Sequence, residues 1–389
     1  MDRRMFLSRG LALGCSIAAS PLITPMAFAS APWDNRLVVI LLRGAMDGLD
    51  VIRPVGDPAF ADLRPGLTAE APHHALDGFF AMHDGLSALL PLWQAGEMSF
   101  VHAVSTPYRD RRSHFDGQDL LEAGIAGLDE GLRDGWLNRM LATVPGLESE
   151  IAFAVGRERM LILSGDAPVS SWAPNTRLEL SPATERLLEY VQHSDPLFRD
   201  ASADAIAIAA EVAAGGEMMG ERVGRGNSVT MAQFAASRLV GDTRIASFSI
   251  SGWDTHNRQH RGLPGRLGEL SDTILTLKAN LGDVWDKTTV VCMTEFGRTA
   301  RQNGSDGTDH GTGGAMLLAG GAVRGGRVIS DWPGLEEGDL YDRRDLMPTR
   351  DVRAHAGWLM RGLFGLSTGT IEGAVFPGME MGTDPGLLL

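Results

Sequence analysis

Six consecutive apolar residues, Leu37-Val38-Val39-Ile40-Leu41-Leu42, run into the turn-rich segment Arg43-Gly44-Ala45-Met46-Asp47-Gly48. A β-rich run that is apolar at every position offers no polar face to water, so it reads as a strand buried on both sides. A strand of this kind needs a layer above and a layer below it, which a parallel sheet flanked by helices supplies. The rest of the chain fits that demand. Met98–Val104, Ile151–Val155, Arg244–Ile250, Thr288–Met293 and Ala315–Ala319 read as further strands. Residues 85–95, Ser113–Ala123, Gly135–Val144, Leu263–Leu281 and Thr349–Phe364 read as helices, with Ser113 as an N-cap and Asp116 three residues on. The alternation predicts an α/β fold: a mainly parallel central sheet with helices on both faces. Residues 159–240 change character. Short helical patterns at Pro182–His193, Asp204–Ala214 and Ser228–Leu239 predict a mostly helical insertion or cap.

Composition narrows the function classes. Apolar residues make up 44% and charged residues 22% of the 389, enough for one large core. The formal charge of −14 argues against a nucleic-acid footprint, which needs a basic patch. Beyond the N-terminus no run of eighteen apolar residues appears, so no membrane span is expected in the mature protein. The first thirty residues read as a targeting segment. Arg3-Arg4 precede Met5-Phe6-Leu7, a weakly apolar stretch follows, and Ala27-Phe28-Ala29 gives a small-x-small cleavage site. The paired arginines resemble a twin-arginine export signal, which predicts a partner in that export machinery and a periplasmic destination. Residues 1–29 are then the signal and 30–389 a single domain. Cleavage would remove Cys15 and leave Cys292 alone, so no intramolecular disulfide is expected.

The candidate chemistry gathers at strand ends, where ligands of open α/β sheets bind. Asp47 lies five residues after the first strand. Asp254 and His256 follow Arg244–Ile250, with His260 nearby. Glu295 and Arg298 follow Thr288–Met293, and Asp309-His310 sits in a Gly-rich loop before Ala315–Ala319. Any one of these reads equally well as a turn residue, a cap or a surface histidine. Their joint clustering points to a divalent ion, since carboxylates and imidazoles ligate zinc and manganese. Ser113 opens a helix after the strand Met98–Val104, with Arg109, Arg111 and Arg112 just before it. A hydroxyl there faces backbone N–H groups that favour an anion such as phosphate or sulfate, although Ser is also a leading cap residue. No phosphate-binding loop, His-Glu-x-x-His or Cys-x-x-Cys is present.

Taken together, Leu-Arg-Gly-Ala-Met-Asp-Gly-Leu49, Arg-Ser-His-Phe115 with Gln118-Asp119, Asp-Gly-Trp-Leu-Asn-Arg139, Gly-Trp-Asp-Thr-His256, Thr-Glu-Phe-Gly-Arg298 and Gly-Thr-Asp-His-Gly311 resemble the DUF 1501 family of exported bacterial proteins. The family is similar in its expected fold to the alkaline phosphatase and sulfatase superfamily. The resemblance implies metal ligands at Asp47, Asp254, His256 or His260, Glu295 and His310, and a nucleophile at Ser113. It also implies substrate contacts from Arg112, His114 and Arg298. One departure stands out: the superfamily's usual Asp-His pair after a later strand is Thr294-Glu295-Phe296 here. The implied function is a periplasmic hydrolase of phosphate or sulfate esters, using one or two divalent ions of zinc or manganese and a small anionic ester. The alternatives are a non-catalytic exported binding or assembly protein on the same fold, or a Ser-His-Asp esterase or peptidase.

Overall fold

A computed structural model of the chain describes residues 32–68, 72–109, 111–127, 134–144, 147, 151–156, 160–173 and 227–389. The targeting segment and the helices expected at Pro182–His193 and Asp204–Ala214 lie outside the described residues. The strands are β1 (Arg36–Arg43), β2 (Ile52–Arg53), β3 (His73–Ala75), β4 (Ala81–His83), β5 (Met98–Ser105), β6 (Ala152–Val155), β7 (Ser170–Trp172), β8 (Ile245–Ser251), β9 (Thr288–Met293), β10 (Gly314–Ala319), β11 (Arg327–Ile329) and β12 (Arg350–Asp351). The main helices are α1 (His114–Ala123), α2 (Trp136–Ala142), α3 (Asn227–Leu239), α4 (Gln259–Leu281) and α5 (Val352–Phe364).

The main sheet runs β11-β5-β10-β9-β1-β8-β6-β7, with β12 beside β5. Strand β1 is central and parallel to both neighbours, β8 and β9. The other pairs are parallel too, except those of β10, which runs against both β5 and β9. Strands β2, β4 and β3 form a separate small sheet. Alternation along β1 divides the core in two. Val38, Ile40 and Leu42 pack with α3 and α4 on one face. Leu37, Val39 and Leu41 pack with α2 and α5 on the other. This two-sided burial is what the uninterrupted apolar run demands, at roughly 1.5–3 kcal/mol for each large side chain removed from water.

Three elements differ in detail from the sequence expectation. The helix expected over 85–95 is a 3₁₀ segment, Asp84–Leu89, that passes into α-helix only at Leu90–Gln94, with Pro91 in the first turn. Proline has no N–H to donate and suits the start of a helix rather than its middle. Thr349–Phe364 begins as strand β12, and the Asp351 carboxylate accepts the Arg353 N–H to start α5. Within 159–240, β7 adds an edge to the sheet beside β6, and Ser228–Leu239 falls in α3. Three residues reading Ser-Ser-Trp are too few to show a period. No helix among the described residues is long and apolar enough to cross a membrane.

Replacing Ile40 by Ala in this doubly covered strand should lower unfolding free energy by about 2–5 kcal/mol, measured by urea denaturation. A loss below about 1 kcal/mol would mean that the strand is not packed on both faces.

Candidate metal centre

The carboxyl ends of β1, β5, β8 and β9 lie at one edge of the sheet. Because β10 runs the other way, the loop before it, Asn303–Gly313, reaches the same edge. Helix α1 follows β5. Its cap is Ser113, whose Oγ accepts the Asp116 N–H at 3.4 Å, while the Ser113 N–H donates to the Tyr108 hydroxyl at 2.9 Å. Just before it, Arg112 has a left-handed backbone, φ 51°. Non-glycine residues adopt that conformation at a cost and tend to be found where geometry is imposed. Here it presents the Arg112 carbonyl to His310.

Three imidazoles and one carboxylate converge. His114 Nδ1 lies 2.8 Å from Glu295 Oε1, leaving His114 Nε2 buried, without a hydrogen-bond partner, 3.4 Å from Asp254 Oδ2. His310 Nδ1 lies 2.8 Å from the Arg112 carbonyl, and its Nε2 lies 3.3 Å from Asp254 Oδ1. His256 Nδ1 lies 3.1 Å from Asp309 Oδ1. His256 Nε2 lies 3.1 Å from Asp254 Oδ1 and 2.9 Å from His310 Nε2. Ligand atoms of His114, Asp254 and His310 all fall within 4.8 Å of one another, so a possible His/Asp metal site exists here.

All three Nδ1 atoms face oxygen acceptors, and a ring that carries its hydrogen on Nδ1 presents a bare Nε2 to the cluster. Two lone pairs 2.9 Å apart repel unless a proton or a metal ion shares them. A ring held at Nδ1 by a carboxylate or carbonyl while Nε2 faces inward is the arrangement of metal-ligating histidine. The donor set therefore fits a divalent cation.

The charges around the cluster have identifiable causes. Burial opposes ionisation of Asp254, but the Arg298 guanidinium at 2.6 Å outweighs it and holds the carboxyl below its usual range. The hydrogen bond that His114 donates to the Glu295 carboxylate raises the pKa of His114, whereas burial lowers that of His310. Arg298 is itself buried. Besides Asp254 it donates to the carbonyls of Gly44 (2.6 Å), Ala45 (2.7 Å), Trp253 (3.1 Å) and Thr308 (3.2 Å). Two glycines let the loops come this close. A Cβ on Gly44 would lie 2.6 Å from the Asp254 nitrogen, and one on Gly307 would lie 2.4 Å from the His256 carbonyl carbon.

The residues singled out from sequence thus divide. Asp254, His256 and His310 come together, while His260 is exposed in the first turn of α4. Asp47 is held elsewhere: its Oδ2 accepts from Arg64 Nη1 at 2.7 Å and from Gln259 Nε2 at 2.7 Å, wholly buried. Burial works against its ionisation, yet Arg64 keeps its pKa lowered. Glu295 is also buried. It accepts the Gly44 N–H at 2.9 Å as well as His114 and Gln118, so it orients a histidine instead of facing the cluster. Arg112 pairs with Asp345 at 3.2 Å and Arg298 is spent on the loops, so both expected substrate contacts are engaged within the protein. His114, expected to touch substrate, stands among the ligand-type groups.

Sequence reasoning missed Arg64 and Gln259. The Gln259 amide donates to Asp47 and Asp50 and accepts from Thr255 and Thr308, at 2.7–2.8 Å, joining the loops that carry His256 and His310. No local pattern marks a glutamine as such a junction.

The fold and the cluster define an α/β protein with a His/Asp site at the carboxyl edge of a mainly parallel sheet. The chain belongs to the family described as protein of unknown function, DUF1501, which it matches over residues 102–356. No curated protein matches it. Among solved structures it is similar to a protein in the alkaline phosphatase superfamily from Vibrio parahaemolyticus, at 13% identity and TM-score 0.37, over 77% of this chain and 63% of that one. It is also similar to Ps i-CgsB in complex with k-i-k-neocarrahexaose, at 10% and 0.34, over 77% and 68%. A third is the lipoteichoic acid synthase LtaP from Listeria monocytogenes, at 10% and 0.34, over 94% and 78%. The chain spans less than two thirds of the Vibrio protein. Likeness this distant adds nothing to what strand order and side-chain geometry show.

Asp47 yields a pH prediction. Its folded-state pKa lies below the unfolded value, so its contribution is complete above the ordinary carboxylate range and is lost as pH falls through the folded value. Asp47→Asn leaves Arg64 buried without its counter-charge and should lower stability at neutral pH by about 3–5 kcal/mol. Denaturant titrations from pH 7 to about pH 3 should show a shallower acid loss in the variant than in the parent. Parallel pH profiles would contradict the ion pair.

Proposed function

We propose that the chain is a periplasmic metal-dependent hydrolase of phosphate or sulfate esters, built on one divalent ion. The observation that carries this reading is the approach of His114 Nε2 and His310 Nε2 to the Asp254 carboxylate, all three ligand atoms within 4.8 Å of one another and both rings held at Nδ1, with His256 beside them. Two imidazoles and a carboxylate, with a fourth position open, suit zinc better than manganese. When bound, such an ion supplies a Lewis acid that lowers the pKa of water and offsets charge on ester oxygens. The protein's own part is to fix the ligands: Glu295, Asp309 and the Arg112 carbonyl set the ring orientations, and Arg298 keeps Asp254 ionised. The Asp254 side chain is 44% exposed, so solvent and an ester can reach the cluster. Arg64 already supplies the positive charge beside Asp47, which favours one ion over two. The cap bond of Ser113 favours water over this hydroxyl as the nucleophile. The paired Arg3-Arg4 supports export in folded form through the twin-arginine machinery.

A non-catalytic binding or assembly role on the same fold is the second reading. Its support is that Arg298 is consumed inside the protein and Arg112 is paired with Asp345, so only part of the Arg112 guanidinium is left for an anionic substrate.

Elemental analysis and ester turnover separate the two. The purified protein should carry close to one zinc per chain and hydrolyse an aryl phosphate or sulfate. His114→Ala should lower zinc affinity by about 10–100-fold or more, since even outer-shell partners have effects that large. Ser113→Ala should keep turnover and lose about 0.5–2 kcal/mol of stability. Zinc without turnover would favour the binding role, and no metal at all would end the hydrolase reading.

A further inference from the structure

Beside the His/Asp cluster the surface opens into a groove of about 790 Å³, walled by segments 58–63, 299–303 and 335–344. It meets the cluster at Asp309, whose Oδ1 accepts from His256 and from Asn303 Nδ2 at 3.0 Å. A group lying in this groove therefore sits one hydrogen bond away from an imidazole of the proposed centre. The size falls in the range of small-molecule sites, roughly 300–1,000 Å³.

The lining decides what fits. Arg301, Arg343 and Arg344 face it together with Asp62, Asp309, Glu336 and Glu337. An anion would meet four carboxylates, and a cation would meet three guanidinium groups. An apolar ligand would strip water from all of them without replacing the hydrogen bonds. The Asn303 amide is engaged with His256, Asp309, Ser305 and Gly307, and Gln302 Oε1 accepts the Gly66 N–H, whereas Asp62, Glu336 and Arg301 offer planar groups with two or more polar atoms that can bridge neighbouring hydroxyls. Leu63, Leu335 and Leu340 supply apolar patches between them, able to pack against C–H faces. The Arg301 guanidinium has no ion pair among the described residues, so its donors are available to a ligand.

We propose that this groove is a subsite for an uncharged polyhydroxylated group, a sugar, belonging to the part of the substrate beyond the reacting ester. The proposal rests on the hydrolase reading for its role in turnover, but binding can be tested without any reaction. Titration calorimetry of the full chain with maltose, cellobiose and lactose provides the probe, with triglycine as a zwitterionic control of similar size. At least one disaccharide should bind and triglycine should not. The double variant Arg301→Ala, Glu336→Ala should weaken that binding at least tenfold, with zinc content and melting temperature unchanged. Failure of every disaccharide to bind more tightly than about 10 mM, or equal binding by the variant, would overturn the subsite. Zinc content measured on the same samples reports separately on the neighbouring centre: sugar binding by a protein that takes no zinc would sustain the groove and refute the hydrolase.

Discussion

The edge of this sheet depends on one buried guanidinium. Arg298 follows β9 and donates to carbonyls on the loop after β1, on the loop after β8 and on the loop before β10, and it pairs with Asp254. Carbonyls at such a convergence would otherwise be desolvated without partners, at about 1–3 kcal/mol each. One side chain with five N–H donors meets that need in a plane that lysine cannot reproduce. The same contact keeps Asp254 charged at the mouth of the cluster. Structure and candidate chemistry therefore hang on the same group, and this explains why an arginine near a site need not be there for substrate.

The second constraint is strand direction. In an all-parallel sheet the loop before a strand lies at the amino edge, far from the other loops. The reversal of β10 moves Asp309 and His310 to the carboxyl edge. His256 then finds Asp309 on one side and His310 on the other. Gly307, with no room for a Cβ against the His256 backbone, makes that approach possible. The Gln259 junction ties the two histidine loops beneath the cluster, through Thr255 and Thr308. None of these links touches the inward Nε2 atoms, yet together they set the spacing between them.

Much of the fold was legible in the sequence because burial on two faces leaves a plain mark. Leu37–Leu42 announces its own environment, and the strands Met98–Val104 and Thr288–Met293 do the same. Asp254, His256 and His310 were legible as a set by their places next to strands, although His310 sits before its strand and only the reversal of β10 makes it count. The role of His114 was not legible: nine residues without a period separate it from Met98–Val104, and Ser113 before it looked the more reactive group. Asp47 and Glu295 looked like ligands because their types and positions suit an ion. What distinguishes them is tertiary, the arrival of Arg64 at one and of His114 and the Gly44 N–H at the other. Sequence spacing carries no record of a partner 181 residues away.

We propose that His114, His310 and Asp254 hold a single ion. X-ray absorption at the zinc edge of the metal-loaded protein measures this most directly. The expected first shell is nitrogen and oxygen at about 2.0–2.2 Å, with outer-shell scattering from two imidazole rings that falls to one in His310→Ala. A shell of six oxygens, a sulfur ligand, or a spectrum unchanged by that substitution would contradict it.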